Sequence, residues 1–89
     1  MAKRAVFITG AAGGIGAALV RAYRDAGWYV VGSDRQASDQ ARCDAYISAD
    51  LSSLASDEGA LIQVVSEVRG CLRGLQLCAL VNNAAAQIL

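Results

Sequence analysis

Blocks of apolar residues separated by polar or glycine-rich segments predict that strands and helices alternate along the chain. Ala5 to Ile8 is apolar without polar alternation, which is typical of a central strand of a parallel sheet covered on both faces. Residues 28–33 are aromatic and β-branched and predict a second strand that ends just before Asp34. Residues 45–49 predict a weaker third strand, and residues 75–81 a fourth.

Two segments between these strands have the three- and four-residue spacing of amphipathic helices. The first runs from Ile15 to Ala26 and ends at Gly27. Its predicted apolar face comprises Leu19, Ala22, Tyr23 and Ala26, and its polar face comprises Arg21, Arg24 and Asp25.

The second helix begins after Ser56, a candidate cap, and ends before Gly74. Acidic residues open it and basic residues close it, as the helix dipole favours: Asp57, Glu58, Arg69 and Arg73. Its predicted apolar stripe is Leu61, Val64, Val65, Val68 and Leu72.

The order of elements predicts an α/β fold, a three-layer Rossmann-type βαβαβαβ unit with a parallel four-stranded sheet in the order 3-2-1-4. Residues 35–44 are polar and are interpreted as a loop or a short helix. Residues 1–89 are expected to form a single, partial Rossmann domain. Ligands of such sheets bind at the carboxyl ends of the strands, beside the point where the winding reverses.

Composition excludes several classes of partner. The 89 residues carry eight basic and eight acidic side chains, so charge favours neither nucleic acid nor a membrane surface. Histidine is absent and Cys43, Cys71 and Cys78 are widely spaced, which indicates neither a zinc site nor a disulfide framework. Reduced thiols favour a cytoplasmic protein, and the cysteines and Trp28 are interpreted as core or partly buried packing residues.

The start of the chain has one competing interpretation. Lys3 and Arg4 precede sixteen uncharged residues, a pattern that resembles a signal peptide. Four glycines interrupt that stretch, and Arg21 and Arg24 end it short of the roughly twenty residues of a membrane span. A soluble protein is therefore the preferred interpretation.

A glycine-rich turn, Thr9-Gly10-Ala11-Ala12-Gly13-Gly14-Ile15-Gly16, joins the first strand to the first helix. Glycine permits both positive φ and close approach of a diphosphate to the backbone, and the helix N-terminus attracts the anion. Asp34 follows the second strand about twenty residues later, the spacing of a carboxylate that binds ribose hydroxyls. The alternatives are a tight turn without a ligand and a solvated aspartate at a strand end.

These residues, with Asp50-Leu51 after the third strand and Asn82-Asn83-Ala84 after the fourth, resemble the N-terminal half of a short-chain dehydrogenase/reductase. The glycine pattern has one more spacing residue than the usual dinucleotide fingerprint, as is typical of that family. The resemblance covers essentially the whole chain. Ala85 stands where the family usually has glycine.

The resemblance implies a role for each motif in binding a dinucleotide. Gly10, Gly13, Gly14, Ile15 and Gly16 would bind the phosphates, and Asp34 the adenosine ribose. Because a carboxylate repels a 2′-phosphate, NAD is expected rather than NADP, although Arg35 beside it could tolerate that phosphate.

The remaining motifs would complete the cofactor site. Asp50 and Leu51 would flank the adenine ring, while Asn82, Asn83 and Ala84 would line a cofactor ribose. For Asp50 a capping or turn role is equally consistent with the sequence, and the alternative for Asn82 and Asn83 is that they are loop amides that satisfy backbone groups.

The family reaction is hydride transfer between nicotinamide and a carbonyl or alcohol, with a serine, a tyrosine and a lysine at the reacting centre. Here no tyrosine is followed by lysine four residues later, and Lys3 is the only lysine. These 89 residues are therefore expected not to catalyse the reaction alone. An alternative function is a non-catalytic association module, a homo-oligomer that forms through the apolar edge of the fourth strand.

Overall fold

The computed structural model describes residues 3–35, 42–49 and 57–81. The elements in these ranges are β1 (Ala5–Thr9), α1 (Gly14–Asp25), β2 (Tyr29–Asp34), β3 (Ala45–Ser48), α2 (Glu58–Leu72) and β4 (Leu77–Val81). Each corresponds to a predicted strand or helix, with bounds that differ by one or two residues. The predicted loop or short helix between β2 and β3 lies largely outside the described residues.

The four strands form one parallel sheet in the order β3-β2-β1-β4, which confirms the predicted α/β fold and strand order. β1 pairs with β2 on one side and with β4 on the other. The register places Thr9 opposite Ser33 and Asp34 opposite Ser48. The carboxyl ends of β1, β2 and β3 therefore meet along one edge of the sheet.

The core lies between α1 and the β1–β2 part of the sheet. Its buried residues are Val6, Ile8, Ala11, Val20 and Val30. The predicted face of α1 was partly wrong, because Val20 is buried whereas Ala22 and Ala26 are exposed. Gly16 and Val20, one helical turn apart, bring the helix axis close to the sheet, and this contact rotates the buried face away from Ala22.

At the amino end of the sheet, aromatic residues pack over the connection between α1 and β2. α1 ends at Asp25 with Ala26 as its C-cap, and Gly27 follows with φ +90°, a conformation that glycine adopts readily. Trp28 packs edge to face on Tyr23 with ring centroids 5.1 Å apart, and the Arg4 guanidinium lies 5.3 Å from the Trp28 ring centroid. Trp28 is partly buried, as the sequence predicts.

α2 differs from its prediction at its start and on its apolar face. Asp57 caps it by accepting a hydrogen bond from the Ala60 N–H at 3.0 Å, so Asp57 and not Ser56 is the N-cap. The aspartate carboxylate reaches that N–H directly, as is common at a helix start. No α2 residue is buried: Leu61 and Val65 are 44% and 49% exposed.

One cysteine prediction was also wrong. Cys43 and Cys71 are partly buried free thiols, but Cys78 is an exposed one. Its strand, β4, has no buried residue in the structure, so the side chains on both faces of the strand keep part of their surface in water.

Candidate functional site

The glycine turn between β1 and α1 is shaped by two of its glycines. Gly10 has φ +67°, in the left-handed region that side chains disfavour. A Cβ on Gly16 would lie 1.8 Å from the Gly10 carbonyl oxygen and 2.7 Å from its carbon. Both contacts are with backbone atoms. The first turn of α1 can therefore lie against the backbone at the end of β1 only because residue 16 has no side chain.

The other two glycines of the turn have no such requirement within the described chain. A Cβ on Gly14 would meet no atom within 4 Å, and one on Gly13 would meet only the Gly10 oxygen, at an ordinary 3.6 Å. The chain's own packing therefore leaves open space beside Gly13 and Gly14. A ligand that approaches the backbone at this point would use that space.

The N-terminus of α1 opens onto this space. Gly13 is the N-cap, no side chain of the described residues caps the helix, and its first turn contains no acidic residue. Backbone N–H groups of a first turn have no acceptor within their own helix, and they carry the positive end of the helix dipole. These donors favour an anion such as a phosphate group.

Asp34, at the carboxyl end of β2, lies beside the glycine turn. Its Oδ2 accepts a hydrogen bond from the Ala12 N–H at 3.1 Å, and its Oδ1 accepts one from the Arg35 N–H at 2.8 Å. One residue earlier in both segments, the Ala11 N–H donates to the Ser33 carbonyl at 3.0 Å. Each carboxylate oxygen can accept a further bond, so Asp34 can also bind ligand hydroxyl groups.

The end of β4 adjoins the same edge of the sheet. The Thr9 hydroxyl donates to the Val81 carbonyl at 3.4 Å, which links the carboxyl ends of β1 and β4. Of the predicted site residues, Asp50, Leu51, Asn82, Asn83 and Ala84 lie outside the described residues. The structure thus brings together the glycine turn and Asp34, whose sequence separation is about twenty residues.

Two residues of β2 beneath this site were not singled out by the sequence. Gly32 could have been identified, because it is an isolated glycine inside a strand of β-branched residues. Such a glycine often marks a place where other atoms approach the backbone closely. Ser33 is fully buried, and its hydroxyl has no hydrogen-bond partner within the described part of the chain. No sequence signal identifies that burial, because it depends on what packs over the strand.

Tyr46 on β3 is next to the same part of β2, opposite Gly32 in the register. Burial raises the pKa of its phenol, and electrostatic interactions with Asp34 and Cys43 add to the effect. The tyrosine therefore stays protonated above its ordinary range of pH.

A cleft of about 600 Å³ lies elsewhere, between β3 and the C-terminal half of α2. Tyr29, Asp44, Glu67 and Arg73 are among its lining residues, and no residue of the glycine turn is. Its charged groups are of both signs, so the lining does not select one class of ligand. In the ranges that the structure describes, no three metal-binding side chains form a metal site, and neither helix could cross a membrane.

Comparison with known proteins agrees with this geometry. The sequence profile of the short chain dehydrogenase family matches residues 4–89. The chain is also 36% identical, over 87 residues, to Protein FixR of Bradyrhizobium diazoefficiens. That alignment covers 91% of this chain and 30% of the relative.

A solved structure has the same fold. It is the crystal structure of an oxidoreductase of the short chain dehydrogenase/reductase family from Brucella ovis, in complex with a partially ordered NAD. The two superpose with a TM-score of 0.74 at 34% identity, over 93% of this chain and 39% of that one. This chain therefore spans well under half the length of either relative.

Proposed function

Because the chain belongs to the short chain dehydrogenase family, we propose that it forms the NAD(H)-binding N-terminal portion of an oxidoreductase of that family. One observation carries the proposal: the glycine turn and Asp34 meet through the 3.1 Å hydrogen bond from the Ala12 N–H to Oδ2. This contact sets an anion-binding backbone beside a carboxylate that can accept ribose hydroxyls. The NAD in the Brucella ovis oxidoreductase supports the choice of ligand.

In this proposal the two ends of the adenosine diphosphate unit contact different groups. The N-terminus of α1 and the backbone of Gly10, Gly13, Gly14, Ile15 and Gly16 bind the phosphates. Asp34 accepts hydrogen bonds from the ribose, which favours NAD because a 2′-phosphate would meet a carboxylate. The exposed Arg35 is the group nearest in sequence that could moderate this repulsion.

The residues outside the described ranges complete the proposed site. Asp50 and Leu51 flank the adenine, and Asn82, Asn83 and Ala84 line a ribose beyond the end of β4. Bound nicotinamide would supply the hydride acceptor or donor of the family reaction. We propose that the 89 residues do not perform that reaction by themselves, and tyrosine-dependent turnover by this chain would contradict this.

The test is a calorimetric titration of NAD and NADP into the full chain and three variants. We expect NAD to bind with a dissociation constant in the high micromolar to millimolar range, about −4 to −6 kcal/mol. Asp34→Ala should weaken NAD at least tenfold and reduce the preference for NAD over NADP. Asp25→Ala, which removes an exposed carboxylate at the far end of α1, is the matched control and should leave both affinities unchanged.

Gly14→Ala separates ligand binding from folding. Its added methyl group meets no atom of the described residues within 4 Å, so the free energy of unfolding should be unchanged or rise by up to about 1 kcal/mol. The same methyl group occupies the space we assign to the diphosphate, so NAD affinity should fall. Absence of NAD binding at millimolar concentration, or equal affinity in the wild type and Asp34→Ala, would contradict the proposed function.

A second candidate function is a non-catalytic association module. It is favoured by large apolar side chains that are exposed to solvent in the described residues. Five of them are 40–63% exposed: Leu61, Ile62, Val65, Leu77 and Leu80. β4 stands at the end of the strand order, so its outer edge pairs with no strand in the described residues. Unpaired edges associate readily, and we propose a homo-oligomer formed through β4, in a cytoplasmic protein whose three cysteines are free thiols.

Analytical ultracentrifugation tests this association. The wild type should sediment as a dimer or larger species at high micromolar concentration, and Leu80→Lys should shift it toward monomer. Arg21→Lys, a conservative change at an exposed position of α1, should leave the distribution unchanged. A wild-type chain that stays monomeric at that concentration would contradict the module.

A further inference from the structure

The residues just before β3, which we call the 42–44 segment, are tied to the C-terminal end of α1. The Arg24 guanidinium donates from Nη1 to the Arg42 carbonyl at 2.7 Å. Its Nη2 lies 3.6 Å from Oδ1 of Asp44, whose side chain is only 19% exposed. Arg24 therefore binds the backbone of the residue before Cys43 and the side chain of the residue after it.

Asp44 also fixes this segment to β2. Its N–H donates to the Val30 carbonyl at 2.9 Å, and its Oδ2 accepts from the Val30 N–H at 2.7 Å. Both backbone groups of Val30 are thus bonded to a single residue. These bonds and the Arg24 contacts fix the position of Cys43 between them.

Cys43 projects from this anchored segment onto Gly32. A Cβ on Gly32 would lie 2.2 Å from the Cys43 Sγ and 2.8 Å from the Ala11 Cβ. The thiol and the methyl group of Ala11 therefore share the space that a side chain on Gly32 would fill. This accounts for a glycine inside a strand, where it otherwise weakens the sheet.

Ala11 connects this contact to the site. It is fully buried, and its N–H donates to the Ser33 carbonyl at 3.0 Å. The next residue, Ala12, donates its N–H to Asp34. Any displacement of Ala11 by its neighbours is thus passed to the hydrogen bond that joins the glycine turn to the proposed ribose carboxylate.

We propose that Cys43, anchored by Asp44 and Arg24, is a positioning residue that sets the distance between the glycine turn and Asp34 by packing against Ala11 over Gly32. Protein interiors are close-packed, so a change of one or two atoms at residue 43 moves its neighbours. The consequence of this positioning for NAD rests on the proposed function. The packing itself exists without a ligand.

The thiol acts here through its volume. Burial, together with the negative charge of Asp44, raises the pKa of Cys43 to about 11, against opposing effects of Arg24 and a Gly32 backbone hydrogen bond. Near neutral pH residue 43 is thus a neutral, small side chain. The serine side chain is close to it in size, whereas the leucine side chain has two more non-hydrogen atoms.

The Ala12 amide reports on the positioning directly. In the ¹⁵N-labelled full chain, Asp34→Asn should change the chemical shift of this amide, because it replaces the carboxylate that accepts the Ala12 hydrogen bond, and we call this change the Ala12 response. Cys43→Leu should reduce the response at least twofold, and Cys43→Ser should retain it. Cys78→Leu, the same change at an exposed thiol, is the matched control and should also retain it. A wild-type response in folded Cys43→Leu would overturn the proposal.

A second pair of variants keeps the test decisive if Cys43→Leu does not fold. Gly32→Ala should lose the Ala12 response or fail to fold, because its methyl group overlaps the Cys43 sulfur. Adding Cys43→Ala removes that sulfur and leaves the Cys43 Cβ at an ordinary 3.5 Å, although the 2.8 Å overlap with the Ala11 Cβ remains, so the double variant should fold better than Gly32→Ala and recover part of the response. A double variant no better than Gly32→Ala would overturn the proposal.

NAD titrations of the same variants separate this inference from the proposed function. Cys43→Leu should raise the NAD dissociation constant about tenfold, but should cause no further loss in an Asp34→Ala background. If the wild type binds no NAD, the proposed function fails while the amide experiment still decides the positioning. If NAD binds and Cys43→Leu changes neither readout, only the positioning fails.

Discussion

The β1–α1–β2 unit and the α2–β4 part of the chain contain similar kinds of residues but differ in burial. With the exception of Ile47, every buried hydrophobic residue among those described lies between Ala5 and Val31. Neither α2 nor β4 contains a buried residue. Apolar content alone therefore does not make a core, because a helix buries its apolar stripe only where another surface packs against it.

The difference has a direct cause in the two helices. α1 approaches the sheet closely because Gly16 and Val20 face it, and Val20 is 1% exposed. α2 lies near β3 and β2, but Ile62 on it remains 63% exposed. The proposed phosphate and ribose contacts lie on the well-packed unit, where neighbouring atoms fix the backbone.

The largest expected effect comes from adding the same methyl group to one glycine in each helix. Gly16→Ala should lower the free energy of unfolding by about 3 kcal/mol or more, because its Cβ would overlap the Gly10 backbone. Gly70→Ala in α2, where a Cβ meets no atom of the described segments within 4 Å, should raise it by up to about 1 kcal/mol. Urea unfolding measures both, and equal effects would remove the distinction between the two regions.

Truncating one valine in each helix should give a smaller difference. Val20→Ala should cost about 2 kcal/mol, since it deletes methyl groups from the core and leaves a cavity. Val65→Ala should cost less than about 0.5 kcal/mol, because that side chain is 49% exposed and alanine favours the helix. A large loss for Val65→Ala would show that α2 is covered in solution, as the association module requires.

The smallest effect concerns alkaline pH. Because the pKa of Cys43 is raised from 9.0 to about 11, the unfolded chain loses this proton first as the pH rises. Stability from the buried thiol is complete below pH 9 and is lost between about pH 9 and 11. The thiol is only half-buried, which keeps the effect small.

Urea unfolding at a series of pH values checks this alkaline decline. Cys43→Ser should decline less steeply than the wild type, whereas Cys78→Ser should follow the wild type. Tyr46, whose pKa burial also raises, contributes to the decline in every variant. An identical slope in Cys43→Ser would contradict the prediction.

Much of the fold could be predicted from local sequence. Uniform apolar runs, helix periodicity and Gly27 and Gly74 located the described strands and helices within two residues, and their alternation determined a parallel sheet in the observed order. The glycine turn and Asp34 could be assigned to one edge of the sheet because carboxyl ends of parallel strands meet there. Whether Asp50, Leu51 and Asn82 to Ala84 join them stays a prediction.

Only the tertiary structure decided which apolar residues are buried and which contacts position the site. Periodicity identifies an apolar arc but not how a neighbouring surface meets it, so it missed Val20 and included Ala22. Cys43 and Ala11 both approach Gly32 although the three residues are far apart in sequence, and no local pattern encodes this arrangement. The sequence determined the elements and their order because these follow from local periodicity, whereas packing depends on contacts between distant segments.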